Sequence, residues 1–189
     1  MSKFKPRRPA PPPPNMPSST LLKQYFDRVD SNKSGTITPS ELQAALSNGN
    51  NTEFNIGTVN LMIGLFDTEK TGEIDFKDFG SLWRYIVDWQ NCFKNFDKDK
   101  SGSINLVELE EALTSFGYTL SRDVMQLLLR RFDRTNSHAV KFDDFIQCCL
   151  VLHGMTDIFR AEDTDQDGVI QITYERFLVL LLNSNLLNL

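Results

Sequence analysis

The strongest constraint on this chain is a twelve-residue acidic loop that occurs five times, beginning at residues 30, 67, 97, 133 and 163. The first and third copies share short oxygen-bearing side chains at positions 1, 3, 5 and 9, a glycine at position 6 and a glutamate at position 12. Loops of this pattern bind calcium, and position 7 adds a backbone carbonyl. The sequence therefore predicts two calcium sites, with the ligands Asp30, Asn32, Ser34, Thr36 and Glu41 in loop one (30–41) and Asp97, Asp99, Ser101, Ser103 and Glu108 in loop three (97–108).

The helix that follows each loop supports this interpretation. Calcium is a hard cation that takes six to eight oxygen ligands, and the glutamate at position 12 is long enough to offer both of its oxygens. Thr38 precedes Glu41 by three residues, and Asn105 precedes Glu108 in the same way, which is the spacing of a helix N-cap. An acidic turn before a helix would not require the glycine at position 6 or the aliphatic residue at position 8.

Loop two (67–78) keeps the glycine but ends in Asp78, one methylene shorter than glutamate. We expect weak calcium or magnesium binding there. Its predicted ligands are Asp67, Glu69, Thr71, Glu73 and Asp78.

Loops four and five depart further from the pattern. Loop four (133–144) lacks the glycine and has Lys141 at position 9, so we interpret it as an empty structural partner. Loop five (163–174) begins well but has Tyr174 at position 12, with Glu175 one residue late. It is predicted to hold a cation loosely through its first half, using Asp163, Asp165, Asp167 and Val169.

The spacing of the loops predicts an all-α architecture of five helix–loop–helix units. The residues between loops two and three (79–96), and between loops four and five (145–162), suit one straight helix of about 27 Å each. The other two intervals have room for a helix, a linker and another helix. Loops one and two, and loops three and four, should therefore pair through short strands at position 8, where all five loops have a β-branched residue: Ile37, Ile74, Ile104, Val140 and Ile170.

Because five is odd, loop five has no partner loop within the chain. The predicted last helix, Tyr174 to Leu182, is strongly apolar and is followed by Leu186, Leu187 and Leu189. The run is too short to span a bilayer. We expect a homodimer or heterodimer through the fifth unit; the alternative is that the run packs on its own core.

Composition and charge narrow the class of protein. The net charge of −5 gives no indication of nucleic-acid binding. Three cysteines without CxxC spacing favour free thiols and a cytoplasmic location. No catalytic constellation can be assembled from the sequence, so we predict that the protein is not an enzyme.

Residues 1–19 are basic and proline-rich and lack the apolar run of a secretory signal. We interpret them as an extended or disordered arm, and residues 20–189 as the folded domain. The arm is a candidate for contact with a partner groove or an acidic membrane; the alternative is that it only aids solubility.

An aromatic stripe runs along the helix predicted between loops two and three. Such stripes usually belong to a core, but both tryptophans of the chain lie here and suit a peptide-binding groove. The groove residues predicted from the sequence are Trp83, Ile86, Trp89, Phe116 and Tyr174.

Several segments also resemble the penta-EF-hand family. The segment 82–93 is similar to the signature helix of that family, and 117–121, 131–134, 142–148 and 163–168 resemble it in order. A complete first loop and a proline-rich arm resemble the group that contains an apoptosis-linked calcium-binding adaptor and peflin. The resemblance implies five EF-hands, a dimer through the fifth, calcium in the first and third, and calcium-dependent capture of proline-rich peptides in membrane trafficking.

Three functions are compatible with the sequence. The first is a calcium-sensing adaptor that exposes an apolar groove and recruits partner proteins, with peripheral membrane association as a further expectation. The second is a regulatory subunit of a calpain-like cysteine protease, against which the complete first loop argues. The third is a simple calcium buffer, which would bind the ion without exposing new apolar surface.

Overall fold

The computed structural model describes residues 17–47 and 52–184. The predicted arm, apart from its last three residues, lies outside the described residues, as does the leucine-containing tail after residue 184. The first helix begins at Ser19 and is capped by Ser18, whose hydroxyl accepts a hydrogen bond from the Leu21 amide.

The described residues form eight helices and two short antiparallel sheets, which confirms the predicted all-α class. The helices are α1 (Ser19–Val29), α2 (Pro39–Ala45), α3 (Ile56–Phe66), α4 (Phe76–Phe96), α5 (Leu106–Ser115), α6 (Arg122–Phe132), α7 (Phe142–Glu162) and α8 (Tyr174–Leu182). The strands are β1 (Thr36–Ile37), β2 (Ile74–Asp75), β3 (Ile104–Asn105) and β4 (Ala139–Val140). The two long helices α4 and α7 lie where the loop spacing predicted them.

The loops begin and end for local reasons. The first aspartate of each loop is also the C-cap of the entering helix, as at Asp30 and Asp97, where its amide donates to the carbonyl four residues earlier. At position 9 of loops one and three, Thr38 and Asn105 cap the exiting helices. One sequence pattern therefore specifies both the loop and the helices on either side of it.

The strands pair the loops as predicted. Ile37 of β1 lies opposite Ile74 of β2, and Ile104 of β3 lies opposite Val140 of β4, and all four side chains are fully buried. Ile170 of loop five lies in none of the strands described. Loops one and two therefore form one unit, and loops three and four form a second.

Aromatic rings join the two units. Trp89 and Phe93 of α4 pack edge-to-face on Phe145 of α7, with ring centroids 5.8 and 5.7 Å apart. Phe54, which precedes α3, packs in the same way on Phe142 at the start of α7, at 5.9 Å. Such pairs add to the gain from apolar burial, so the two units share one core.

Most of the predicted groove belongs to this core. Ile86, Trp89 and Phe116 are only 6–8% exposed, and the Trp89 ring packs on Phe116 and on Phe145 of α7. Trp83 is half-buried and stacks on the Tyr25 ring at 4.5 Å, whereas Tyr174 is 74% exposed. These residues do not form an open groove in this structure.

The fifth unit contrasts with this core. Helix α8 buries none of its nine residues, although six of them are apolar aliphatic or phenylalanine side chains. Phe177 is 46% exposed and Leu182 is 70% exposed. Among the described residues, no helix combines the length and the apolar character needed to cross a membrane.

Candidate metal centres

Loop one gathers its predicted ligands around the side chain of Asp30, which is only 5% exposed. Asp30 Oδ1 accepts from the Ser34 amide at 3.0 Å, and Oδ2 accepts from the Gly35 amide at 2.9 Å. Asn32 Oδ1 also accepts from the Ser34 amide, at 2.7 Å. Gly35 has φ of +89°, a conformation that disfavours other residues, which explains the glycine at position 6.

Loop three has the same arrangement with more charge. Asp97 accepts from the amides of Ser101 and Gly102 at 2.9 and 3.0 Å. The carboxylates of Asp97, Asp99 and Glu108 place one oxygen each within 4.8 Å of one another. Three acidic oxygens at this spacing, with hydroxyl and carbonyl oxygens beside them, fit a calcium ion.

The glutamate at position 12 links each of these two loops to its exiting helix. Glu41 Oε1 accepts from the Ser31 amide and Oε2 from the Thr38 amide, both at 3.0 Å. Glu108 repeats this with the amides of Lys98 and Asn105, at 2.9 and 3.0 Å. Both oxygens of each glutamate therefore face the loop and the helix start together.

These hydrogen bonds also fix the charge of Glu41. They lower its pKa to about 2, chiefly through the Thr38 amide and hydroxyl. Hydrogen bonds from the hydroxyl and amide of Ser101 likewise lower the pKa of Asp99. Both groups are therefore ionised at neutral pH, as calcium ligands must be.

Loop two shows what the shorter Asp78 changes. Asp78 uses a single oxygen, Oδ2, to accept from both the amide and the hydroxyl of Thr68, at 3.0 and 2.8 Å. Glu41 and Glu108 each complete a capping box with the N-cap residue of their helix. In loop two, by contrast, the side chain of the N-cap residue Asp75 accepts from the Asp78 amide at 2.8 Å. This geometry supports the expectation of a weaker site.

In loop four, Arg134 pairs with the two carboxylates at positions 11 and 12. Arg134 Nε donates to Asp144 Oδ1 at 2.6 Å, and its Nη2 donates to Asp143 Oδ2 at 2.5 Å. Both carboxylates are almost completely buried. His138 stands where the other loops have glycine, yet it adopts φ of +61°, so the loop conformation persists. This geometry supports the interpretation of loop four as a structural partner without metal.

The same two carboxylates hold the first unit against the second. The Asn55 amide donates to Asp143 Oδ2 at 2.7 Å, and Asn55 Nδ2 donates to Asp144 Oδ1 and Gln147 Oε1 at 3.3 and 3.0 Å. Asn55 is also the N-cap of α3 and accepts from the Gly57 amide. Loop four therefore serves as a docking point for α3. Sequence reasoning missed both Arg134 and Asn55; an arginine at position 2 of an acidic loop was the available signal.

Loop five ends later than its sequence suggests. Its exiting helix α8 is capped by Thr173, at position 11, whereas α2 and α5 are capped from position 9. The third residue of α8 is therefore Arg176, where α2 and α5 place their glutamates. Counting along the sequence assigned this place to Tyr174 and missed Arg176, whose guanidinium pairs with Glu162, with Nε 3.1 Å from Oε2.

The first half of loop five keeps an acidic cluster. Asp163, Asp165 and Asp167 place one carboxylate oxygen each within 4.8 Å of one another. The fourth predicted ligand is the carbonyl of Val169. The amide of this residue donates a hydrogen bond to Asp167 Oδ1 at 2.7 Å. A loose cation site here stays a prediction.

These features define the class: an EF-hand calcium-binding protein with paired loops. The family description "EF-hand domain pair" matches residues 20–84 and 86–150. The chain is 41% identical to peflin of Homo sapiens over 169 residues, 89% of this chain and 59% of peflin. It is 46% identical to sorcin of Schistosoma japonicum over 157 residues, 83% of this chain and 91% of that protein.

A solved structure of a homolog of programmed cell death 6 protein from Leishmania major Friedlin is also similar, with a TM-score of 0.75 and 29% identity. The match covers 87% of this chain and 94% of that one. The chain belongs to the penta-EF-hand family, and it binds calcium. It spans less than two thirds of the length of peflin.

The role of Glu108 can be tested by a single substitution. Replacing Glu108 with Gln removes the charge of a predicted ligand of loop three that is 4% exposed, so calcium affinity there should fall by at least tenfold. Glu111→Gln is the matched control, because Glu111 lies on the same helix and pairs at the surface with Lys98. Isothermal titration calorimetry with calcium measures both variants, and equal affinities would contradict the site.

Arg134 provides a second test. The variant Arg134→Met removes the positive charge beside two buried carboxylates, and we expect a loss of roughly 3 kcal/mol in the free energy of unfolding at pH 7. Arg130→Met is the control, because Arg130 is exposed on α6, the helix that precedes loop four, and it should cost less than about 0.5 kcal/mol. Urea unfolding in a chelator measures both.

The pH dependence of this loss follows from Asp144. Burial raises the pKa of Asp144, and Asp143 raises it further, while Arg134 lowers it. A raised carboxyl pKa means that the folded state binds the proton more tightly than the unfolded state, so stability is lost as pH rises through the folded pKa. The deficit of Arg134→Met should therefore be smaller near pH 5 than at pH 7, and a deficit independent of pH would contradict this account.

Proposed function

We propose that this calcium-binding protein is a sensor that captures partner proteins when loops one and three bind calcium. The observation that carries the proposal is the double role of Glu41 and Glu108. Each is the predicted position-12 ligand of its loop, and each completes the N-terminal cap of the exiting helix. A change in calcium occupancy therefore acts directly on the position of α2 and α5.

The negative charge in loop three makes the position of α5 depend on calcium binding. Three carboxylates within 4.8 Å repel one another unless a cation lies between them. Without calcium, this repulsion is most easily reduced if Glu108, which lies on α5, moves away from Asp97 and Asp99. Calcium binding reverses this movement and draws the start of α5 toward the loop.

Helix α5 transmits this movement to the aromatic core. Its inner residues Leu109, Ala112 and Leu113 are fully buried, and Phe116 at its C-terminal end packs on Trp89 and Phe96, at 6.4 and 5.8 Å between ring centroids. A shift of α5 therefore separates or closes the contact between Phe116 and Trp89. Opening of this contact would convert the predicted groove from a buried to an exposed surface.

The partner class remains an expectation from the family. Proline-rich peptide segments, a role in membrane trafficking or cell death, and a cytoplasmic location with recruitment to membranes all belong to this proposal. A calcium buffer is the alternative, because a buffer binds calcium with little opening. A calpain-like regulatory subunit would be indicated by copurification of a cysteine protease.

Tryptophan emission distinguishes a sensor from a buffer. In a Trp83→Phe variant, Trp89 is the remaining tryptophan, and it is 6% exposed. We expect its emission to shift and the binding of a hydrophobic-surface dye to rise at calcium concentrations of about 10⁻⁷ to 10⁻⁵ M. Both responses should disappear when Glu41→Gln and Glu108→Gln are added, while Glu111→Gln leaves them intact.

Magnesium at millimolar concentration serves as the ionic control. Calcium binding by calorimetry without a change in Trp89 emission or dye binding would identify a buffer. The sensor proposal would then be wrong, although the calcium sites would stand.

We also propose that the protein forms a dimer through its fifth EF-hand. The support is the unburied apolar surface of α8, where Phe177, Val179 and Leu182 are all more than 40% exposed. Ile170 in the preceding loop has no strand partner in the described part of the chain. Apolar surface and an unpaired loop edge would be covered together by a second copy or a related chain.

Sedimentation measures this directly. At micromolar concentration we expect a dimer mass, and Phe177→Glu should shift the population to monomer by burying a charge in the interface. Leu127→Glu is the control, because Leu127 is 57% exposed on α6. A monomeric mass for the unaltered protein, with and without calcium, would contradict the dimer.

A further inference from the structure

Loop two contributes a carboxylate to the surroundings of loop one. The Thr36 hydroxyl donates to Glu73 Oε2 at 2.5 Å, and both residues are half-buried. The contact crosses the sheet diagonally, since Glu73 directly precedes Ile74, the partner of Ile37. We propose that Glu73 is a positioning residue for the calcium site of loop one, acting through the hydroxyl groups of Thr36 and Ser34.

The hydroxyl of Ser34 needs an acceptor that is not a calcium ligand. Calcium is held by oxygen lone pairs, so a ligating hydroxyl must direct its proton away from the ion. Ser34 Oγ lies 2.9 Å from the Thr36 carbonyl and 3.2 Å from Thr36 Oγ1. The carbonyl is the position-7 ligand, so a proton donated to it would lie close to the cation. Thr36 Oγ1 is the better acceptor.

Glu73 makes that acceptor available. A hydroxyl oxygen that accepts from Ser34 must donate its own proton elsewhere, and the Glu73 carboxylate receives it. The two hydroxyls then point in one direction, from Ser34 through Thr36 to Glu73, which leaves the lone pairs of Ser34 free for calcium. A hydrogen bond to a charged acceptor is stronger than one between neutral groups, so the orientation is held firmly.

Loop three lacks this arrangement and provides an internal comparison. Ser101 and Ser103 repeat the local contacts, with Oγ atoms 3.1 Å apart and Ser101 Oγ 3.0 Å from the Ser103 carbonyl. In loop four, however, the residue at the position of Glu73 is Ala139, which lies opposite Asn105 and has no polar side chain. Removal of the Glu73 carboxylate should therefore weaken loop one and leave loop three unchanged.

The experiment isolates one loop at a time in the full-length protein. A starting variant with Glu108→Gln and Asp67→Asn weakens loops three and two, so that tight calcium binding reports on loop one. A second starting variant with Glu41→Gln and Asp67→Asn reports on loop three. To each starting variant we add, one at a time, the substitutions Glu73→Ala, Glu73→Gln and Thr36→Val and the control Asp27→Ala. Asp27 is an exposed carboxylate on α1 that pairs with Lys23, so its loss removes the same charge.

Calorimetric titration with calcium should show about tenfold weaker binding by loop one in Glu73→Ala, the lower end of the effect of outer-shell partners. Glu73→Gln should restore most of the affinity, because its amide oxygen still accepts from Thr36. Thr36→Val should match Glu73→Ala, and the two changes together should cost no more than either alone. Loop three and the Asp27→Ala control should change less than twofold.

Four results would overturn the inference: equal affinity of Glu73→Ala and the starting variant, no recovery with Glu73→Gln, additive losses, or a matching loss in loop three. The inference rests on calcium binding by loop one. If the first starting variant binds no calcium with micromolar affinity, the predicted loop-one site itself is wrong. If it binds calcium but Glu73→Ala has no effect, the site stands and only the role of Glu73 is wrong. Thermal unfolding in a chelator verifies that each variant is folded.

Discussion

The rest of the structure depends on the carboxylate at position 12 of loops one to four. In loops one and three it is a glutamate whose two oxygens reach the second residue of the loop and the N-cap of the exiting helix at the same time. The ion site and the helix start are therefore one structural element. Movement of the ligand without movement of the helix would break the cap, and this coupling is the physical basis for a calcium response in a protein of this kind.

The five loops show what happens when that carboxylate changes. Asp78 is one methylene shorter and uses a single oxygen. Asp144 meets Arg134 and Asn55, so a loop with the geometry of a metal site becomes a salt-bridged joint between the two EF-hand pairs. In loop five position 12 is Tyr174, and Arg176 is the third residue of the exiting helix, where loops one and three have the glutamate. Arg134 thus pairs with the carboxylate at position 12 of loop four, and Arg176 pairs with Glu162 just before loop five.

Much of this structure could be predicted from the sequence. The features that could be predicted have one property in common. The capping residues, the pairing through position 8 and the two long helices all depend on contacts within about twelve residues or on a repeated spacing. The calcium ligands predicted in loops one and three depend on the same local rules. Two of the contacts that sequence reasoning missed join residues much farther apart in the sequence. Asn55 reaches Asp143 across 88 positions, and Thr36 reaches Glu73 across 37. No local pattern marks such partners.

The sequence by itself determined where the loops lie, which of them have a complete set of calcium ligands and which loops pair, because coordination geometry and helix capping are local rules. Only the tertiary structure decided that Trp89 and Phe116 are buried against each other. It alone placed Asn55 on the carboxylates of loop four and gave loop one an outer partner from loop two. The physical reason is that burial and side-chain hydrogen bonds depend on which surfaces meet, and those surfaces come from distant parts of the chain.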